Sequence, residues 1–184
     1  MEIAGLIIGG AIHDVDHPGV NNSFLLQAHH PLAILYNDTS ILESHHAAFG
    51  FEIARDHAGC NIFEGLENSE FIAIRKLIIQ YVLATDLAQH FQILNKFKAK
   101  ISQGNLKLEE ATDRAMVLEM AIKCSDLSNP TRPLDQSVKW SYKVMEEFFN
   151  QGEREKLLGI PVSQFMDKST TNIPKWYIYL DFQL

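Results

Sequence analysis

Residues 69–101, SEFIAIRKLIIQYVLATDLAQHFQILNKFKAKI, hold apolar side chains at helical spacing with no proline or glycine between them. Phe71, Ile74, Ile78, Tyr81, Val82 and Phe91 recur at a period near 3.6, which predicts one long amphipathic helix over the stretch. Asp86 falls in its middle beside Thr85, and aspartate is a poor residue for a helix interior. The ordinary readings are an exposed place on the polar face or an i,i+4 pair with His90.

The same periodicity predicts helices over Ile3–His13, Pro31–Tyr36, Ile41–Asp56, Glu109–Cys124 and Asp135–Asn150, with no convincing strand alternation. Turn chemistry separates them at His17-Pro18-Gly19, Gly65, Gly104-Asn105, Asn129-Pro130 and Gly159 with Pro161. The expected fold class is all-α, a helical bundle around one core, with residues 1–184 as part of one domain.

Hydrophobic residues make up 46% of the 184, enough to bury a core and too many for a disordered chain. The formal net charge is −7 and the pI about 5.6, which argues against a nucleic-acid module with its basic face. Cys60 and Cys124 stand far apart, outside any C-x-x-C spacing, as suits a reducing, cytoplasmic setting. The apolar run Ile3–Ile12 is too short to span a bilayer and lacks the flanks of a signal peptide. Met1 stands almost inside the first predicted helix with no cap before it, the start expected of a domain cut at that end.

Four polar clusters sit at the ends or kinks of these apolar helices. His13-Asp14-Val15-Asp16-His17-Pro18-Gly19 follows the first helix, and an imidazole beside a carboxylate suits borderline and hard divalent metals. Read blandly, it is a loop-capping aspartate next to a surface histidine. Glu43-Ser44-His45-His46 opens a helix, where Glu43 also reads as a solvated residue favoured by the dipole. Thr85-Asp86 is the third. Asp126 ends an apolar helix before Ser128-Asn129-Pro130, where an Asx turn is the bland reading. One bundle can aim all four into a single pocket, as di-metal bundles do.

The strings AIHDVDHPGVNNSFL, LAILYNDTSILESHHAAFGF, VLATDLAQHF, IKCSDLSNPTRPL, KWSYKVMEEFFNQGEREKLLGIPVS and MDKSTTNIPK run in the order seen in class I cyclic-nucleotide phosphodiesterases. The chain resembles that family from about Ile3 to Lys175, which implies the all-helical, HD-type phosphodiesterase fold. The resemblance implies that His13 and Asp14 are a metal-binding pair, with Asp14 bridging two ions and Asp126 the second carboxylate on zinc. It makes His17, Glu43, Thr85 and Asp86 the groups that hydrogen-bond waters on the other ion, magnesium or manganese. Asn129 would face the base, and Val144 would form an aliphatic wall of its clamp.

The implied reaction is metal-dependent hydrolysis of a 3′,5′-cyclic nucleotide to the 5′-monophosphate. The Ser-Asn-Pro after Asp126 leans towards cAMP. Regulatory domains or a dimer partner are compatible with the resemblance.

The family's general acid is a histidine of a His-Asn-x-x-His motif upstream of the His-Asp pair, and the motif also supplies a zinc ligand. Only an apolar segment precedes His13 here, so the chain is expected to lack both groups. After Ile173-Pro174-Lys175, Tyr177 stands at the place of the family's base-binding glutamine; a one-residue gap would instead align Ile178–Phe182 with the next segment. The expectation is a domain truncated at both ends. The alternative is a catalytically inactive partial domain that binds nucleotide or protein, and an HD-type hydrolase of non-cyclic nucleotides is a weaker third.

Overall fold

A computed structural model describes residues 1–171. All its regular elements are helical: α1 (Glu2–Ile12), α2 (Asn22–Gln27), α3 (Pro31–Leu35), α4 (Ile41–Asp56), α5 (Asn68–Leu83), α6 (His90–Ser102), α7 (Ala111–Asp126) and α8 (Leu134–Leu158), with 3₁₀ turns at Leu87–Gln89 and Asn129–Thr131. The chain divides into two compact units. Among the described residues, one comprises Met1–His17 and Thr39–Asp126; the other comprises Pro18–Asp38 and residues 127–171.

The larger unit packs α1, α4 and α7 against α5. Ile74, Ile78 and Val82 of α5 form its core with Ala47, Ala54 and Phe63, and Tyr81 is fully buried beside them. Full burial of one such side chain contributes about 1.5–3 kcal/mol. Gly5 and Gly9 bring α1 close to α5: a Cβ on Gly5 would stand 3.2 Å from the Leu77 Cβ. A capping box starts α5, the Glu67 side chain taking an amide of the first turn and Glu70 Oε2 accepting the Glu67 N–H at 3.1 Å.

The long helix expected over residues 69–101 is two helices. Hydrophobic period runs through the stretch, but local side-chain hydrogen bonds outcompete the ladder at Thr85 and Asp86. Thr85 Oγ1 donates back to the Val82 carbonyl at 2.7 Å, and Asp86 Oδ1 accepts the Ala88 N–H at 2.8 Å, capping the 3₁₀ turn. Asp86 is 6% exposed and so is not on the polar face; its carboxylate bonds Ser40 and the Ala88 amide, and among the described residues no ion pair joins it to His90.

In the smaller unit, α8 runs past the expected end at Asn150. Gly152 lies mid-helix because it leaves room for the Met166 backbone, which a Cβ would strike. The helix stops at Gly159, whose left-handed φ of 68° lets its N–H reach the last carbonyls. The fully buried Glu155 accepts from Gln151 Nε2 and from the Ser163 amide and hydroxyl. Gln151 in turn bonds Asn21, which caps α2, a helix whose six residues are too few to register as a period. The positive φ at Gly19, Gly65, Gly104 and Gly159 matches the turns expected there.

Two outcomes test this packing. Gly152→Ala should destabilise by about 1–3 kcal/mol in chemical denaturation, although glycine to alanine in a free helix stabilises. Asp113, 1% exposed, accepts Lys100 Nζ at 2.8 Å and the Lys107 N–H at 2.9 Å. The Lys100 ammonium, then that amide, hold its carboxyl below the ordinary range. A lowered folded pKa contributes stability that is present above the unfolded value, about 3.9, and is lost as pH falls through the folded one. Asp113→Asn should therefore flatten the fall of melting temperature below about pH 4, and an unchanged acid limb would refute this pairing.

Candidate metal centre

Polar segments at the helix ends of the larger unit are tied to one another in a closed ring. Beyond α1 the chain turns through Asp16, whose φ of 59° is tolerated by aspartate. That turn is fastened to α4 twice: His45 Nε2 donates to Asp16 Oδ2 at 2.8 Å, and His46 Nδ1 donates to the Val15 carbonyl at 2.7 Å. At the start of α4, Ser40 donates its hydroxyl to Asp86 Oδ2 at 2.7 Å, joining α4 to the α5–α6 break. Lys123 of α7 donates Nζ to the Ala84 carbonyl at 2.9 Å, joining the break to α7. At the end of α7, Asp126 Oδ1 accepts from His13 Nε2 at 3.2 Å, which returns the ring to α1.

His13, Asp14 and Asp126 make the one cluster with ligand geometry among the described residues. One ligand atom from each lies within 4.8 Å of the other two. His13 Nδ1 donates to the Gly10 carbonyl at 2.8 Å, which orients the ring and directs Nε2 to both carboxylates. The hydrogen bond to Asp126, then that to Asp14, raise the His13 pKa to about 10, and His13 in turn lowers that of Asp14. His13 thus carries a proton between the two carboxylates. One imidazole nitrogen and two carboxylate oxygens are a donor set for zinc, manganese or magnesium.

The other expected site residues lie as follows. The exposed His17 stacks on the His46 ring with centroids 5.5 Å apart. Glu43 is half-buried in the first turn of α4. Thr85 and Asp86 form the break, with the hydrogen bonds already given. In the smaller unit, Asn129 Nδ2 donates to the Ser137 carbonyl at 3.3 Å and to Ser141 Oγ at 3.2 Å, and Val144 is half-buried on α8. The sequence argument about Tyr177 and Ile178–Phe182 lies outside the described residues.

Five side chains of the ring, Asp16, Ser40, His45, His46 and Lys123, were not among the expected site residues. His46, 1% exposed, faces Asp14 Oδ1 at 3.9 Å; burial pushes its pKa down. Ser40 stands before α4 with a left-handed φ of 43°, a conformation that costs roughly 1 kcal/mol and is held by its bonds to Asp86 and Gln89. Lys123 is 3% exposed, and its place seven residues after the buried Met116 would have put it on the inner stripe of α7. Asp86-x-x-Gln89 has the capping-box spacing that would have exposed the break.

A cleft of about 810 Å³ in the same unit, lined by Phe51, Phe63, Phe71, Arg55 and Arg75 among others, contains none of these residues. Among the described residues, no helix is long and apolar enough to cross a membrane.

Comparison with known proteins places this ring in a family. The family model described as 3'5'-cyclic nucleotide phosphodiesterase matches residues 1–180. The chain is 39% identical to 3',5'-cyclic-AMP phosphodiesterase 4C of Rattus norvegicus, over 99% of this chain and 35% of that protein. It is 42% identical to high affinity cAMP-specific and IBMX-insensitive 3',5'-cyclic phosphodiesterase 8A of Homo sapiens, over 98% of this chain and 24% of that protein. The chain therefore spans about a quarter to a third of the length of these relatives. Since the match runs through both units and every polar segment of the ring, the chain belongs to the 3'5'-cyclic nucleotide phosphodiesterase family.

Proposed function

We propose that this chain is part of a phosphodiesterase catalytic domain that hydrolyses a 3′,5′-cyclic nucleotide, cAMP by preference, to the 5′-monophosphate. The observation that carries the reading is the His13–Asp14–Asp126 cluster, with its three ligand atoms within 4.8 Å. The preference for cAMP is supported by the names of the two relatives, both cAMP phosphodiesterases.

The cluster would hold zinc, with Asp14 also serving a second ion, magnesium or manganese. An ion bound there supplies Lewis acidity towards a phosphodiester and towards water. The chain's own residues prepare for it. The Gly10 carbonyl fixes the His13 tautomer, and the two carboxylates concentrate negative charge where a dication is wanted. In this reading His17, Glu43, Thr85 and Asp86 orient water beside the ions, while Asn129 and Val144 hold the base. The metals also reconcile a chain of net charge −7 with an anionic substrate, because the local field is theirs.

The leaving 3′ oxygen needs a proton, and a positioned acid contributes about 10²–10⁴-fold. None of the eight histidines stands in a His-Asn-x-x-His pattern, so proton delivery is assigned to no residue of this sequence.

The test is zinc binding and cAMP hydrolysis by the purified chain with zinc and magnesium or manganese, beside Asp14→Ala and Asp126→Asn. Either substitution should weaken zinc binding by at least about tenfold, and turnover should be slow in the parent and absent in Asp14→Ala. Zinc binding with no turnover above Asp14→Ala would favour the second reading, a domain that binds nucleotide or partner without catalysis. Absence of zinc binding would remove the first reading and leave the second, which needs no metal. Because His13 is protonated below about pH 10, zinc must displace that proton. Calorimetry at pH 8 in buffers of different ionisation enthalpy should count about one proton released per ion; an ordinary histidine, pKa about 6.5, would release almost none.

A further inference from the structure

Lys123 is buried to 3% exposure in the last turns of α7, three residues before Asp126. A lysine is almost never buried without a partner, because desolvating an ammonium is costly. Its Nζ donates to the carbonyl of Ala84, the residue that ends α5. The last carbonyls of a helix lack intrahelical donors and carry the negative end of the dipole, so an ammonium from a neighbouring helix satisfies both. The adjoining Thr85 and Asp86 have bonds of their own, to the Val82 carbonyl, the Ala88 amide and the Ser40 hydroxyl. Lys123 thus ties the break itself to the helix that carries Asp126 to His13, one turn beyond the bond from Gln80 Nε2 of α5 to Glu119 Oε1 of α7 at 2.6 Å.

We infer that Lys123 is a positioning residue for the metal centre: through the Ala84 carbonyl it sets the α5–α6 break against the end of α7 and so holds Asp126 in place. Its work is done by the N–H bond to the carbonyl. Charge alone would act in the opposite direction, since a cation near Asp126 repels an incoming metal ion. The inference rests on reading His13, Asp14 and Asp126 as metal ligands.

The test compares Lys123→Met, which keeps the length and removes the donor, with Lys123→Gln, which keeps a donor without the charge. Zinc binding is titrated on the whole chain, and amide hydrogen exchange is followed over residues 84–90 without metal. Lys123→Met should bind zinc about tenfold more weakly per folded molecule and lose protection over residues 84–90. Lys123→Gln should recover most of both. A merely structural lysine would lower the melting temperature and leave affinity unchanged, so Lys123→Met binding zinc within about twofold of the parent overturns the inference. Tighter zinc binding by both variants also overturns it, because charge would then dominate. If the parent binds no zinc, the metal reading falls and this inference with it.

Discussion

A helix that stops inside a packed core leaves carbonyl and amide groups that water cannot reach, and each must find a partner. The break between α5 and α6 is such a place. Lys123 takes the Ala84 carbonyl, Asp86 takes the Ala88 amide, and Ser40 secures Asp86 from α4. Three elements are therefore fixed at this point by bonds that none of them could make alone. Were the helix continuous, Asp86 would have no cause to turn inward and Lys123 no carbonyl to meet.

The consequences reach the His13–Asp14–Asp126 cluster through the backbone. Fastening Ser40 sets where α4 begins, and hence where His45 and His46 meet the turn after α1. Fastening Lys123 sets the last turn of α7, and hence the reach of Asp126 to His13. Ligands placed by rigid helix ends keep their geometry better than ligands on free loops. A proton on His13 holds the cluster together, because two carboxylates beside one imidazole stabilise its charged form.

Helical periodicity and turn glycines were legible in the sequence, since each depends on residues within a few positions of one another. They specified an all-helical chain and most of its boundaries. The polar clusters were also visible, because Glu, Asp and His are conspicuous in apolar helices. The collinear motifs, finally, pointed to the phosphodiesterase family that the comparison with known proteins establishes.

What the tertiary structure alone decided was where apolar period gives way to polar demand. Residues 69–101 satisfy the helical pattern throughout, yet Thr85 and Asp86 find better partners outside the ladder. Asn150-Gln151-Gly152 looks like a helix end, yet the Met166 backbone makes a glycine necessary in mid-helix. Lys123 shares the inner stripe of α7 with Met116, but only the Ala84 carbonyl opposite it accounts for a buried ammonium there. Beside the local bonds of Thr85 and Asp86, these outcomes turn on hydrogen bonds and close approaches between residues 14 to 46 positions apart, and pairings over such distances leave no periodic trace in a sequence.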